Sequence, residues 1–303
     1  MRNAFIQTLC EEARRDPSLW LLSGDIGFSV LEGFAKEFPE RFINVGVAEQ
    51  NMIGVAAGLA LSGKTVFTYT IGNFAFMRCL EQIRNDVCYH NLNVKIIALG
   101  GGYAYGAMGY THHVIEDIAM MRVLPNITVH APGDPIEAAF CARALCQEHG
   151  PGYVRLGRGG EPKIHNAMPS VPFGKPIIMS EGRDATIITS AGTLDVAVQA
   201  AKELIGSGLS IGLISMPTLL PFDHAILLHI SNTTKKIITI EEHGLGGLGT
   251  LLLESCNEQM IATPVQRIFV KNALSKESGD KAWYRNLHGI TAEAIIEAVK
   301  KTP

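Results

Sequence analysis

INVGVAEQNMIGVAAGLALSG, residues 43–63, decides how the rest of the chain is read. A short apolar strand ends in a turn at Gly46, and Glu49 stands where the next helix begins. That helix carries Gly54, Ala56, Ala57, Gly58 and Ala60 before it stops at Gly63. Residues this small let another backbone, or a second subunit, come close. KTVFTYT (64–70) follows as a β-branched and aromatic strand, so the stretch is one strand–helix–strand unit. A carboxylate at the start of a helix has a plain reading as a cap that complements the helix dipole. A chemical role for Glu49 stands open beside it.

The same alternation extends in both directions. Upstream, MRNAFIQTLCEEARR (1–15) has helical spacing, SLWLLSGD (18–25) is a buried strand with a turn, and RFINVG (41–46) is another strand. Downstream, MRCLEQIRNDVCYHN (77–91) reads as a helix and NVKIIALGGG (93–102) as a strand running into glycines. EDIAMMRVL (116–124) is helical, NITVHAP (126–132) a strand, DPIEAAFCARALCQEHG (134–150) a helix closed by glycine, and PGYVRLGR (151–158) a strand. Near-continuous apolar strands between helices predict a parallel sheet covered on both faces. A Gly- and Pro-rich stretch without periodicity then interrupts the pattern, and the alternation restarts with ATIITSAG (185–192). Strands follow at 210–217, 235–243 and 265–270, with helices at 194–208, 248–258 and 290–301. The expected fold class is α/β in two domains, each a mostly parallel sheet covered by helices. The boundaries drawn are 1–163 and 177–303, with a linker at 164–176.

Composition excludes several classes. With 303 residues, 47% of them hydrophobic and 18% charged, the chain can bury two cores. A net charge of −3 without a basic run offers no face for nucleic acid. No apolar run is long enough to span a bilayer. The N-terminus mixes acids and bases, unlike a signal peptide. The six cysteines at 10, 79, 88, 141, 146 and 256 form no C-x-x-C pair, and reduced thiols in a cytoplasmic protein are expected.

Read with its surroundings, VGVAEQNMIGVAAGLALSGKTVFTYT is similar to the signature of transketolases and their relatives, which include deoxyxylulose-phosphate synthase. The resemblance continues through FMRCLEQIRNDVCYHNLNVKI, THHVIEDIAMMRVLPNITVHAPGDPIE, YVRLGR, ATIITSAG and ITIEEHGLGGLG. It covers nearly the whole chain in the family's order. It implies the pyrimidine-binding and C-terminal domains of a thiamine-diphosphate enzyme. In that family the matching glutamate hydrogen-bonds the cofactor's aminopyrimidine and helps the thiazolium ring lose its C2 proton, which makes Glu49 the catalytic and cofactor-binding candidate.

Other positions carry over singly. Asp25 in SGDIG matches an acid that lies close to the cofactor across the dimer; its plain reading is a turn residue. TIGNFAFMR (70–78) matches the aromatic stretch that packs on the pyrimidine, but the family's aromatic offsets fall on Gly72 and Ala75. Phe74 and Phe76 are the substitutes, with plain core packing as the other reading, and Arg78 and Gln82 match the helix that follows. In THH (111–113) His112 falls on the family's catalytic-site histidine, suited to polarise a carbonyl. Arg2 and Arg158 match sugar-phosphate contacts, which suit a guanidinium fork; a solvated surface arginine is the other reading of each.

Departures from the family pattern are informative. Met108 stands where an acid usually meets substrate hydroxyls, and a phosphate-holding histidine is replaced by Gly100. The donor expected is a ketose, with an acceptor outside the ordinary sugar phosphates. GLGGLG (244–249) has the dinucleotide spacing after a strand, but no acid closes a following strand where the ribose partner belongs. HHVIED offers a histidine and Glu116 one turn apart as a metal pair, without a distant third ligand.

The family holds the cofactor's diphosphate through a divalent metal, Mg2+ or Ca2+, on a G-D-G motif with a later Asn. The Gly-Asp pairs of this chain, at 24–25, 133–134 and 279–280, are not followed by Gly. The resemblance therefore implies a split enzyme. An N-terminal, G-D-G-bearing partner subunit would hold the metal and diphosphate, and an α2β2 assembly would form active sites at subunit interfaces. The first expectation is ketol transfer between sugars. The alternatives are the β subunit of a 2-oxo acid dehydrogenase, a deoxyxylulose-phosphate-type synthase, or a regulatory subunit that kept the fold without the chemistry.

Overall fold

The protein, seen in a computed structural model, is described over residues 1–271 and 277–301. The first sheet is built from β1 (Leu19–Ser23), β2 (Phe42–Asn44), β3 (Thr65–Ile71), β4 (Val94–Leu99), β5 (Thr128–His130) and β6 (Gly152–Leu156). The strand order is β5-β6-β4-β3-β1-β2, all parallel. Every residue of β4 and β6 is buried, and so is β3 up to Thr70. These are the near-continuous apolar runs of the sequence, interrupted by the buried Lys95 and Arg155, as a sheet covered on both faces requires.

The second sheet comprises β7 (Ile177–Ser180), β8 (Ala185–Thr189), β9 (Ile211–Ser215), β11 (Ile237–Ile240) and β12 (Val265–Ile268). Its order is β12-β11-β8-β9-β7, parallel except for β7, which runs antiparallel to β9. One strand crosses over. Thr218–Leu220 (β10) leaves the second half of the chain and pairs antiparallel with β5 at the edge of the first sheet. Three residues at an edge carry too little periodicity to stand out in a sequence, and β7 follows a Pro-rich stretch. Residues 77–91 do not form one helix: a short turn at Leu80–Gln82 runs into a π-helical segment, Ile83–Cys88. The chain from Gly157 to Pro176 contains no helix or strand.

The two halves share an interior. One apolar cluster runs from Met52, Val114 and Met121 to Ile188, Met216 and Phe222. The loop after β4 enters the second half, where Tyr103 stacks on Tyr284 with ring centroids 4.4 Å apart and meets His288 Nε2 at 2.9 Å. Arg155 is buried between the halves, donating to the carbonyls of Val114 (2.6 Å) and Glu242 (2.7 Å) and facing Asp117 at 3.6 Å.

His165, between the last strand of the first sheet and β7, is anchored to the helix Pro135–Gln147. Asp134 caps that helix through the Glu137 amide (2.8 Å) and accepts the amides of Ile164 and His165. The His165 ring stands 3.2 Å from Asp134 and 3.6 Å from Glu137. The Asp134 contact holds the His165 imidazolium above its usual range. A raised imidazole pKa gives stability that is complete below the ordinary value and is lost as pH rises through the raised one. His165→Ala is therefore expected to lower the urea midpoint more at pH 6 than at pH 9; an equal loss at both would remove the ionic contribution.

Candidate functional site

In a parallel sheet the C-terminal strand ends are where loops can converge on a ligand. The sequence candidates gather there. Gly24 and Asp25 follow β1, Glu49 opens the helix Glu49–Leu61 after β2, Phe74 follows β3, His112 lies on the loop after β4, and Arg158 follows β6. Arg2 begins the first helix and approaches Gly159, where an added Cβ would lie 3.4 Å from the guanidine Nε.

Glu49 is 4% exposed. Its Oε2 accepts from Arg78 Nη1 at 3.1 Å, and no hydrogen bond reaches Oε1 among the described residues. Gln50, next to Glu49 in the same motif, ties the turn down by donating to the Arg78 carbonyl at 2.9 Å. Gly24 leaves room opposite the carboxylate: a Cβ there would stand 3.1 Å from Thr70 Oγ1 and 3.7 Å from Glu49 Cγ. The Thr70 hydroxyl is buried without a hydrogen-bond partner among the described residues. A buried carboxylate with one uncommitted oxygen suits a basic or N–H-bearing ring nitrogen.

From Glu49 a string of contacts runs across the strand ends. The Arg78 guanidinium lies over the Phe74 ring at 4.2 Å, and Phe74 meets the His112 ring edge-on at 5.2 Å. Asn73 clamps these loops together by donating to the Thr111 carbonyl at 2.7 Å. His112 Nδ1 pairs with Thr111 Oγ1 at 3.0 Å, and no hydrogen bond to Nε2 is found among the described residues. Tyr105 lies 6.2 Å from the His112 ring, and the Arg158 guanidinium lies 5.4 Å from Tyr105. Burial pushes the Tyr105 phenol up, while Arg2 and Arg158 pull it back. An acceptor, an aromatic face, an imidazole and two arginines thus follow one another, an arrangement that fits a flat heteroaromatic group at one end and an anion at the other.

The remaining candidates differ in their surroundings. Phe76 is fully buried in the core cluster with Met52 and Ile83, whereas Phe74 is half-buried beside Arg78 and His112. Gly72 has no room for an aromatic side chain, because a Cβ would meet Val114 Cγ2 at 2.9 Å. Asp25 is exposed, with a left-handed backbone (φ 58°), and pairs with the Asn44 side chain at 2.9 Å. Its observed contacts are those of a turn residue. His113 is packed between Tyr103 and Tyr284, and burial lowers its basicity. HHVIED forms no metal-like cluster; among the described residues Asp134, Glu137 and His165 are the grouping with ligand atoms within 4.8 Å.

GLGGLG forms the turn before the helix Leu248–Glu258, but a carboxylate fills the helix end. Glu241 accepts the amides of Leu248 (2.6 Å) and Gly249 (2.7 Å), and a Cβ at Gly247 would lie 2.0 Å from its Oε2. The amides a dinucleotide phosphate needs are taken. Burial pushes the Glu241 carboxyl up to about 7.

Comparison with known proteins agrees with this layout. The family model for the transketolase pyrimidine-binding domain matches residues 1–162, and the model for the transketolase C-terminal domain matches residues 174–295. The chain is 37% identical to a putative transketolase C-terminal section of Methanocaldococcus jannaschii, covering 99% of this chain and 95% of that one. It is 36% identical to one of the subunits of an apulose-4-phosphate transketolase from Phocaeicola vulgatus, covering 99% and 97%. Against a 1-deoxy-D-xylulose-5-phosphate synthase of Bacillus velezensis it is 33% identical and spans about half of that protein, 47%. A solved split-gene transketolase, an inactive beta4 tetramer, superposes with a TM-score of 0.90 at 36% identity, covering 99% of this chain and 96% of that chain. A Campylobacter jejuni transketolase shares the fold, with a TM-score of 0.82 at 18% identity, over 98% of this chain and 46% of that chain.

Proposed function

Because this chain belongs to the transketolase family, in which it spans the pyrimidine-binding and C-terminal domains, we propose that it is one subunit of a split thiamine-diphosphate enzyme that moves a two-carbon ketol unit from a ketose to an aldehyde. The observation that carries this is Glu49, a buried carboxylate at the strand ends with one oxygen uncommitted. Thiamine diphosphate, when bound, supplies the carbon nucleophile and electron sink for breaking the ketose C–C bond. Glu49 shares a proton with the aminopyrimidine, Arg78 orients Glu49, and Phe74 offers a ring face to the pyrimidine. His112 Nε2 hydrogen-bonds the substrate oxygen, and Arg2 and Arg158 hold the anionic end of the sugar. The chain contains no G-D-G, so the metal, Mg2+ or Ca2+, and the diphosphate fall to a partner subunit in an α2β2 assembly. A cytoplasmic place in carbohydrate metabolism belongs to the same proposal. Among the described residues no helix is long and apolar enough to cross a membrane.

Product analysis tests the reaction type. With a ketose donor and an aldehyde acceptor, the assembled enzyme should release an aldose two carbons shorter than the donor. Carbon dioxide release from a 2-oxo acid as the only productive reaction would put a dehydrogenase or synthase in its place. The two aromatic candidates separate in the same preparation. Phe76→Leu is expected to cost about 1 kcal/mol of stability and leave cofactor affinity unchanged. Phe74→Leu should weaken cofactor binding severalfold with little change in stability. The reverse pattern would return Phe76 to the site.

A further inference from the structure

His112 lies on a loop whose own bonds leave its place in the site loosely set. The loop leaves β4 and reaches the short turn Tyr110–His112 through Gly109, which has a left-handed backbone (φ 80°). The His112 amide donates to the Gly109 carbonyl at 3.0 Å and the His113 amide to the Tyr110 carbonyl at 3.2 Å, so both bonds stay within the loop. Beyond His112 the chain is anchored. His113 is buried beside Tyr103 and Tyr284, with ring centroids 5.0 and 4.7 Å away, and its Nε2 meets the Gly106 carbonyl at 3.2 Å. The His112 ring is only partly buried, and among the described residues its one hydrogen bond goes to its neighbour Thr111.

The anchor on the near side is Asn73. Its Nδ2 donates to the Thr111 carbonyl at 2.7 Å, and among the described residues this is the one hydrogen bond between the turn Gly72–Phe76 and the loop 103–113. The peptide that accepts it is the one joining Thr111 to His112, so the bond acts at the root of the imidazole. Asn73 is itself firmly based. It follows the end of β3, next to Gly72, where a Cβ would meet Val114 Cγ2 at 2.9 Å and the Leu99 carbonyl at 3.1 Å. Its own carbonyl accepts the Met77 amide at 3.1 Å. The residue after it, Phe74, touches both the His112 ring and the Arg78 guanidinium that holds Glu49. Ring contacts of that kind tolerate sliding, whereas a hydrogen bond fixes a distance and a direction.

We propose that Asn73 is the positioning residue for His112: through the Thr111 carbonyl it sets where the imidazole stands relative to Phe74 and Glu49, without touching the substrate. The task needs a side chain that donates from a short stem. Asparagine does so, while an aspartate in its place would turn an acceptor toward a carbonyl. The importance of Asn73 for catalysis rests on the ketol transfer proposed above; its placing of His112 does not.

The test is a double-mutant cycle in the assembled enzyme, read beside chemical labelling of the full-length chain. Asn73→Ala should lower kcat/KM about tenfold and leave thiamine diphosphate affinity within twofold of wild type. Asn73→Asp, of the same size, should lose at least as much. In a His112→Ala background Asn73→Ala should lower kcat/KM no further, because a residue that acts through the imidazole then has nothing to place. An asparagine that only stiffened the fold would cost the same factor in both backgrounds. For the labelling, the chain alone is acylated with diethylpyrocarbonate and its histidines are followed by mass spectrometry. Asn73→Ala should raise the rate at His112 severalfold and leave exposed His90, outside these loops, at its wild-type rate. Additive losses in the cycle, an unchanged rate at His112, or an equal rise at both histidines would overturn the assignment. If the assembled enzyme transfers no ketol unit, the labelling still decides whether Asn73 places His112, so the two readings fail separately.

Discussion

Glu49→Gln lowers kcat for ketol transfer by the assembled enzyme at least about a hundredfold while the chain stays folded and paired. Glutamine keeps the length and shape of the side chain and an oxygen for the Arg78 contact, which spans 3.1 Å in the native site. What it loses is the capacity to share a proton with a ring nitrogen. Because Glu49 is 4% exposed, water cannot readily take over that task. The substitution removes no cap bond either, since the helix Glu49–Leu61 has Ala48 at its cap position and no side-chain hydrogen bond there. Steady-state rates with saturating thiamine diphosphate, read beside circular dichroism and light scattering, check the result. A rate within twofold of wild type, with normal assembly, would leave Glu49 as a dipole-complementing residue and nothing more.

Arg155→Met is expected to cost about 3–5 kcal/mol of stability. Arg155 is 2% exposed and serves both halves of the chain. Its Nη2 donates to the Val114 and Glu242 carbonyls, and Nη1 faces Asp117, which is fully buried. Removing the guanidinium takes the cation from that carboxylate and a donor from the Glu242 carbonyl, while the Val114 carbonyl keeps the Gly102 amide at 2.8 Å. Asp117 keeps the Tyr153 hydroxyl at 2.8 Å. His243, 3.7 Å away, cannot stand in as a cation near neutral pH, because burial pushes its pKa down to about 4. Methionine fills the volume, so the loss reports the polar contacts rather than a cavity. Urea unfolding monitored by tryptophan fluorescence measures it; a change under 1 kcal/mol would mean that the Arg155 contacts add little to the joining of the two halves.

The strands of the first sheet were legible because β3, β4 and β6 are buried on both faces and read as near-continuous apolar runs, with Lys95 and Arg155 as the charged exceptions in β4 and β6. Glu49 and His112 were singled out by the resemblance to the family rather than by the local pattern, in which a helix cap explains Glu49 equally well, and the fold brings both to the strand ends. What escaped depended on tertiary approach. Phe74 and Phe76 are two residues apart in one aromatic stretch, and only the packing of the short helix Gly72–Phe76 shows which ring is buried. Gly100 reads as a lost side chain until Tyr105 is seen lying over it. GLGGLG has the glycine spacing of a phosphate loop, yet a carboxylate three residues upstream already takes its amides. Asn73 and the Thr111 carbonyl it bonds stand 38 positions apart in the sequence. The β10 crossover arises from the two halves packing together, which no local window contains.

The most direct measurement is ketol transfer by this chain alone, by the proposed G-D-G-bearing partner chain, and by the two mixed, each with thiamine diphosphate and Mg2+. Activity should appear only in the mixture and should saturate at equal numbers of the two chains. Full activity in either chain alone, or none in the mixture, would contradict a split active site.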